Sequence, residues 1–327
     1  MALLQLPQDG GYGFQQKIIA GIAIPFVILS RVYPGSFIYH LMKNITLITS
    51  LALILLTSSC KWFQREELSG PAEKPAQVPA VIVQDSAFRQ LVRNEHMVLA
   101  TLYQQTAAEY RALCYQAFNI GKFMLDLDLA DKSVNKHRII VLDVDETVLD
   151  NSPFQAKSVL ESTSYPVNWD EWCSLARAEA LPGALDFLKY ARANGVSIFY
   201  VTNRKDYLKD VTVKNLAALG FPHADEEHVI TRTAEACKEG RRQNLAGKYH
   251  ISLLFGDNLN DFAEDFEGLA VKPRMEAVDH ASAEFGRRFI VLPNAMYGDW
   301  ENALYDYNSG IGDSVRFQLR RKALRSF

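Results

Sequence analysis

The stretch Asp143-Val144-Asp145-Glu146-Thr147 follows directly on Arg138-Ile139-Ile140-Val141-Leu142, and it places two carboxylates one residue apart in one small volume. Like charges held that close repel unless a cation sits with them, so the pair implies one. Two more polar groups of this kind occur later. Thr202-Asn203-Arg204 follows the apolar run 196–201, and Gly256-Asp257-Asn258, with Asp261 four residues beyond Asp257, follows the run 251–255. Lys238 lies on a helix ahead of that last run. Carboxylate, hydroxyl, amide and ammonium are the groups that handle phosphate and a hard cation. Oxygen donors without a histidine pair nearby favour Mg²⁺ over zinc. Each group alone has an ordinary explanation, a turn for the DxD and a helix cap for the threonine. Four in chain order, each at a strand end or on the adjoining helix, read as one site.

The elements that must position them follow from periodicity. Residues 138–142, 196–201, 251–255 and 289–292 are short β-branched or apolar runs and read as buried strands. Residues 182–194, 205–219, 233–245 and 258–266 read as amphipathic helices, with Gly195, Gly220 and Gly247 near their ends as C-terminal caps. Strands alternating with helices predict an α/β fold, a parallel sheet with helices on both faces, in which ligands bind beyond the carboxyl ends of the strands. Residues 85–126 repeat apolar positions at helical spacing, as one long helix or two. These helical flanks, about 85–135 and 300–327, predict a small helical subdomain beside the sheet. Only residues 151–181, a short insert, separate the first strand's loop from the next helix, too few for an independent domain. The last fifteen residues hold Arg316, Arg320, Arg321, Lys322 and Arg325 and read as a solvated helix face.

The front of the chain is different. Residues 1–60 hold Lys17, Arg31 and Lys43 and a single acid, Asp9. A positive start at Met42-Lys43-Asn44, an apolar stretch and a small-residue end at Ser58-Ser59-Cys60 describe a secretory signal peptide over 42–59. Its end resembles a bacterial lipobox, which implies that Cys60 is lipidated and anchors the chain to a membrane. Thr57 stands where that pattern usually has Leu or Val, and the alternative is an uncleaved signal anchor with Cys60 an ordinary thiol. Residues 1–41 then read as an upstream extension outside the native protein, 60–80 as a flexible tether rich in Pro, Glu, Gln and Lys, and 81–327 as the folded domain.

Composition sets the outer bounds. With 327 residues, 48% hydrophobic and 22% charged, the chain is long enough for a sizeable core and is neither disordered nor collagen-like. A net charge of -3 gives no reason to expect nucleic acid, which normally demands a basic patch. Four cysteines without a CxxC pair indicate neither a zinc knuckle nor a disulfide scaffold, and the pairing of Cys114, Cys173 and Cys237 is open.

VLDVDETVLDN, VTNR, a helical lysine and GDNLNDF together resemble the haloacid dehalogenase (HAD) superfamily of phosphohydrolases. DETVLDNSPF, the pair Trp169 and Trp172, and LPNAMYGDWE are similar to its class C acid phosphatases, the bacterial lipoprotein 5'-nucleotidases, over residues 86–306. The resemblance implies a HAD-like Rossmannoid fold and a role for each motif residue. Asp143 is the nucleophile and Asp145 the acid and base. Mg²⁺ is held by the Asp143 and Asp257 side chains and the Asp145 carbonyl, with Asp261 orienting a bound water. Thr202 bonds a phosphoryl oxygen, with Asn203 beside it on the substrate, and Lys238 neutralises charge. The stretch TRTAEACKEGRR departs from the family's lysine- and serine-rich segment, which leaves Arg241 and Arg242 as alternative bearers of that charge.

An aromatic pair implied by the same resemblance, Trp169 and Tyr297, sandwiches the ring of the substrate, while Trp172 reads as core. The function implied is a Mg²⁺-dependent acid phosphatase acting on small phosphomonoesters, 5'-nucleotides and nicotinamide mononucleotide among them. Its place would be the bacterial envelope, the outer membrane rather than the inner. Phosphotransfer to an alcohol would use the same residues, and a homodimer is left open. The competing reading is a lipid-anchored protein that captures a nucleotide or haem without turning it over. A pure binder has no use for Asp145 and Asp261.

Overall fold

The computed structural model describes residues 94–327. The expectations for the upstream extension, signal peptide, Cys60 and tether lie outside the described residues. Contacts along the chain mark 81–327 as one compact unit.

In chain order the elements are α1 (Glu95–Thr106), α2 (Ala108–Ala130), β1 (Arg138–Leu142), β2 (Leu149–Asp150), α3 (Ser152–Leu160), α4 (Trp169–Leu175), β3 (Glu179–Ala180), α5 (Ala184–Ala193), β4 (Ser197–Lys205), α6 (Lys209–Leu219), β5 (Val229–Arg232), α7 (Glu239–Lys248), β6 (His250–Gly256), α8 (Val271–His280), β7 (Phe289–Val291), α9 (Asp299–Asn302) and α10 (Asp313–Ala323). Five strands form one parallel sheet in the order β5-β4-β1-β6-β7. β1 is central, and the strand order reverses beside it. Every carboxyl end therefore opens on the same side, with the crevice at the end of β1.

Period-two alternation divides the strands between two cores. Ile140, Leu142, Ile198, Tyr200, Leu253 and Phe255 face one layer, packed with α2, α5 and α6. Ile139, Val141, Phe199, Val201, Ile251 and Leu254 face the other, packed with Leu245 of α7 and with Phe262 and Phe266. A register shift pairs Ile139 with Ile251 but Ile140 with Leu253, so Ser252 is an extra residue in β6. The shift absorbs that residue and keeps the alternation of β6 in phase with that of β1.

The N-terminal helical pattern resolves into two helices broken at Ala107, whose backbone is extended (φ -79°, ψ 125°). α2 belongs to the sheet layer, while Asn94, just ahead of α1, reaches the insert by donating to the Ser158 carbonyl at 3.1 Å. The insert stays small and is tied at its base by the antiparallel pair β2–β3 and by Leu181 N–H donating to Val148 C=O at 3.0 Å.

Several local expectations change. Residues 229–232 form a fifth strand within a stretch that periodicity left unassigned, and the helix expected over 233–245 begins only at Glu239. The expected helix over 258–266 is two single 3₁₀ turns, Leu259–Asp261 and Glu264–Phe266. Gly195 and Gly220 take the left-handed conformation that ends a helix, but Gly247 lies inside α7. Cys114, Cys173 and Cys237 are all free thiols.

Candidate active site

β1 hands the chain to Asp143, whose N–H donates to the Phe255 carbonyl at 3.0 Å, so the first catalytic loop starts level with the end of β6. Asp257 follows one residue after β6, and Asp261 closes the 3₁₀ turn beyond it through a reciprocal cap with Asn258. One carboxylate oxygen from each of Asp143, Asp257 and Asp261 lies within 4.8 Å of the other two. The Lys238 ammonium joins them, pairing with Asp143 and with Asp261 Oδ1 at 2.6 Å. Gly256 makes this possible. A Cβ there would overlap the Asp261 side chain.

The electrostatics are those of a crowded acidic pocket. Burial, then the neighbouring Asp261 and Asp143, raise the Asp257 carboxyl well above the ordinary carboxylate range. Asp143 is also raised, first by burial, against the pull of Lys238. A single ammonium does not offset three clustered carboxylates. An oxygen-only set of this kind suits a hard divalent cation, and it fits Mg²⁺ by donor chemistry.

Asp145 points elsewhere. Its two oxygens receive Arg204 Nε at 3.0 and 3.2 Å, Arg204 Nη2 at 2.7 Å, Asn151 Nδ2 at 2.9 Å and Thr202 Oγ1 at 3.4 Å. The Asp145 side chain is not among the clustered carboxylates, and it faces the end of β4 instead. Arg204, 1% exposed at its side chain, also bonds Thr212 and lies 5.4 Å from the centre of the Trp169 ring.

Residues 77–300 match the family described as HAD superfamily, subfamily IIIB (Acid phosphatase). The chain belongs to this family. Class C acid phosphatase from Bacillus anthracis, solved also with tungstate bound, is 48% identical; the match covers 72% of this chain and 99% of that one, with a TM-score of 0.70. Two plant proteins are more distant. The stem 31 kDa glycoprotein of Glycine max is 29% identical over 176 residues, 51% of this chain and 62% of that protein. Acid phosphatase 1 of Solanum lycopersicum is 29% identical over 186 residues, 54% of this chain and 64% of that protein. The chain thus spans less than two thirds of either plant relative.

Within this family member the expected site residues fall into two groups. Asp143, Lys238, Asp257 and Asp261 meet directly, and Asp145 and Thr202 meet each other. Of Lys238, Arg241 and Arg242, it is Lys238 that touches the carboxylates. Arg241 binds the Thr202 carbonyl at 2.7 Å and Asn203 Oδ1 at 2.6 Å, and Arg242 binds Glu239 at 2.5 Å and the Asn260 carbonyl at 2.9 Å. Asn203 is exposed and engaged with Arg241.

Trp169 and Tyr297 are both half-buried but meet different partners. Trp169 makes edge contacts with Phe154 at 5.0 Å and Tyr165 at 5.9 Å, and the Tyr297 hydroxyl donates to Glu146. Trp172 packs against the core and donates to Asn151 Oδ1 at 2.8 Å.

Sequence reasoning gave no role to four residues that hold the site. Arg204 was visible in VTNR, but nothing in its spacing said that it forks onto Asp145. Asn294, in LPNAMYGDWE, donates to Asp257 at 2.8 Å. Glu146 is fully buried with φ +58° and accepts from Asn151 N–H at 2.7 Å, while burial and then the Asp145 charge push its carboxyl up to about 8. Gln104 reaches Asp150 at 2.7 Å from α1, and no sequence signal marks it.

Proposed function

We propose that the chain is a phosphomonoesterase of the acid phosphatase type that works through an aspartyl-phosphate on Asp143. The convergence of Asp143, Asp257, Asp261 and Lys238 at the end of the central strand carries this reading. An Asp143 oxygen attacks phosphorus, the ester P–O bond breaks, and Asp145 gives its proton to the leaving alkoxide. Water then attacks the phospho-enzyme, its proton goes to Asp145, and phosphate leaves with Asp143 restored. Arg204, Asn151 and Thr202 orient Asp145 before substrate arrives, which removes an entropic cost from the step. Lys238 balances charge on the nucleophile and on the phosphoryl group.

Asp143, Asp257 and the Asp145 carbonyl would hold Mg²⁺, with Asp261 behind them. The ion, when bound, supplies positive charge that offsets repulsion between the carboxylate and a phosphate dianion. Support for an oxyanion site comes also from the Bacillus anthracis relative, which takes tungstate, a tetrahedral oxyanion.

Substrate choice rests on the aromatic wall. Trp169, backed by Phe154 and Tyr165, offers a ring face beside Arg204, and Tyr297 belongs to a loop that reaches Glu146 of the catalytic stretch. A ring-bearing phosphomonoester, a 5'-nucleotide or nicotinamide mononucleotide, would stack there, because stacking tolerates any planar ring. A Cys60 lipid anchor would place the enzyme in a bacterial envelope.

The test is phosphate release by a soluble version starting at Lys61, on a panel of phosphomonoesters, with Mg²⁺ and with EDTA. Release that depends on metal, is fastest on ring-bearing 5'-phosphates and disappears in Asp143→Asn is the expected result. Full turnover by Asp143→Asn would sink the assigned nucleophile, and equal rates on glycerol phosphate and nucleotides would remove the aromatic wall.

A further inference from the structure

The carboxy-terminal fifteen residues contain five cations and one acid, Asp313, in a chain whose net charge is -3. Two of the cations fasten α10 to the domain. Arg320 donates to Glu301 and to the Tyr305 hydroxyl, each at 3.1 Å, and Arg316 lies 5.3 Å from the centre of the Tyr305 ring. The other three do not. Arg321, Lys322 and Arg325 are exposed and form no ion pair among the described residues.

No residue of α10 is buried. Phe317 is 52% exposed, Leu324 76%, and the terminal Phe327 is fully open. Phe317 and Arg321 share one helical face by their spacing, with Arg321 5.6 Å from the centre of the Phe317 ring, and Leu324 follows directly on the end of the helix. A helix face meant only for water has no reason to gather large apolar side chains among unpaired cations. Nor does a nucleic-acid groove, which needs cations but gains little from exposed Leu and Phe. Cations interleaved with Phe and Leu fit the boundary between phosphate headgroups and acyl chains.

Position points the same way. His96, in the first turn of α1, lies within electrostatic reach of Arg320, Glu301 and Asp313. Arg320 of α10 is thus within electrostatic reach of α1, the first helix of the described residues.

We propose that α10 and the tail behind it form a second membrane contact, laying the domain against an anionic phospholipid surface. This deepens the reading of an envelope-anchored enzyme and rests on it for its biological setting, though the contact itself does not need the lipid. A tether alone leaves the domain free to tumble, whereas a basic apolar face fixes one side toward the bilayer.

The experiment uses residues 81–327, one compact unit that contains most of the match to the Bacillus anthracis structure, which is itself covered over 99% of its length. Sedimentation with vesicles of phosphatidylglycerol and phosphatidylcholine is compared with phosphatidylcholine alone. Binding to the anionic vesicles, weakening as salt rises, is the expected result. Each cation near such a surface is worth about fivefold in partitioning, so R321S/K322S/R325S should bind on the order of 100-fold more weakly. F317S/L324S should also weaken binding while leaving the salt dependence in place. Turnover of a small soluble phosphomonoester should be the same in all of them.

Absence of binding to anionic vesicles, or equal binding by the triple variant, overturns the proposal. So does self-association of the unaltered protein that the triple variant abolishes without vesicle binding, since the face would then belong to a second copy. Mass analysis of Cys60 in the full chain tests the anchor separately. Vesicle binding with an unlipidated Cys60 would retain the α10 contact and remove the anchor.

Discussion

Arg204 holds the site together at the scale of single residues. It forks onto Asp145, bonds Thr212 at 3.2 Å and lies against Trp169, so one buried guanidinium links the proposed acid to the aromatic wall. Lysine cannot reproduce a planar fork. Arg204→Lys is therefore expected to lower kcat about 10- to 100-fold with KM for a small phosphomonoester nearly unchanged, because Asp145 loses its orientation. Steady-state kinetics with a circular-dichroism check of folding measures this, and an unaltered kcat would remove Arg204 from positioning. Sequence showed Asp145 and Arg204 plainly. It could not show the fork, because the two ends are brought together by β1 lying next to β4. Glu146 is a parallel case. Three neighbours donate to its carboxyl, Asn151, Tyr297 and Gln104, while the like charge of Asp145 pushes its pKa up. A lone Glu inside a DxDET run reads as solvent-facing until that burial is seen.

Among the elements, the strand ends decide the chemistry. Gly256 ends β6 with the Asp261 side chain where its own Cβ would be. Gly256→Ala should push Asp261 away from Lys238 and from the Asn258 N–H, costing about 1–3 kcal/mol of stability by overpacking. Activity should fall by more than about tenfold, since a misplaced catalytic group is costly. Urea unfolding and phosphate release check the two parts, and normal activity would show that Asp261 tolerates displacement. The four strands foreseen from sequence are unbroken or nearly unbroken apolar runs. β5 escaped because only Val229 and Ile230 of Val229–Arg232 are apolar. The turns after β6 were read as a helix because apolar residues recur there. Each turn closes after three residues, the first capped by Asn258 and Asp261 for the benefit of the site rather than of a helix.

Seen whole, the molecule separates its working end from its bracing end. Opposite the clustered carboxylates, Asp128 near the end of α2 receives Arg138 Nε at 2.7 Å, His250 Nε2 at 2.8 Å and Ser252 Oγ at 2.8 Å. It therefore joins α2 to β1, to β6 and to the extra residue in β6. Burial pushes the Asp128 carboxyl up, but the bonds from His250, Ser252 and Arg138 outweigh it and hold the value below the ordinary 3.8. A depressed folded value means that this stabilisation is complete above the unfolded value and is lost as pH falls through the folded one. Asp128→Asn should cost about 1–2 kcal/mol at neutral pH, a figure kept small by partial solvent exposure. The difference from the unaltered protein should close below about pH 4. Urea unfolding across pH measures it, and a constant difference at all pH values would show that the charge is irrelevant.

The sequence by itself determined the chemistry and the order of the elements. Side-chain type, apolar periodicity and position at strand ends are local properties, so DVDET, VTNR and GDNLND were legible as one phosphate-handling set on a parallel α/β sheet. Only the tertiary structure decided which of these groups touch. Strand order put β4 and β6 on either side of β1, which brought Asp257, Asp261 and Lys238 to Asp143 but turned Asp145 toward Arg204. It also placed α10 beside His96, at the opposite end of the described chain in sequence. Contacts of that kind depend on which strand pairs with which, and no window along the chain contains both partners.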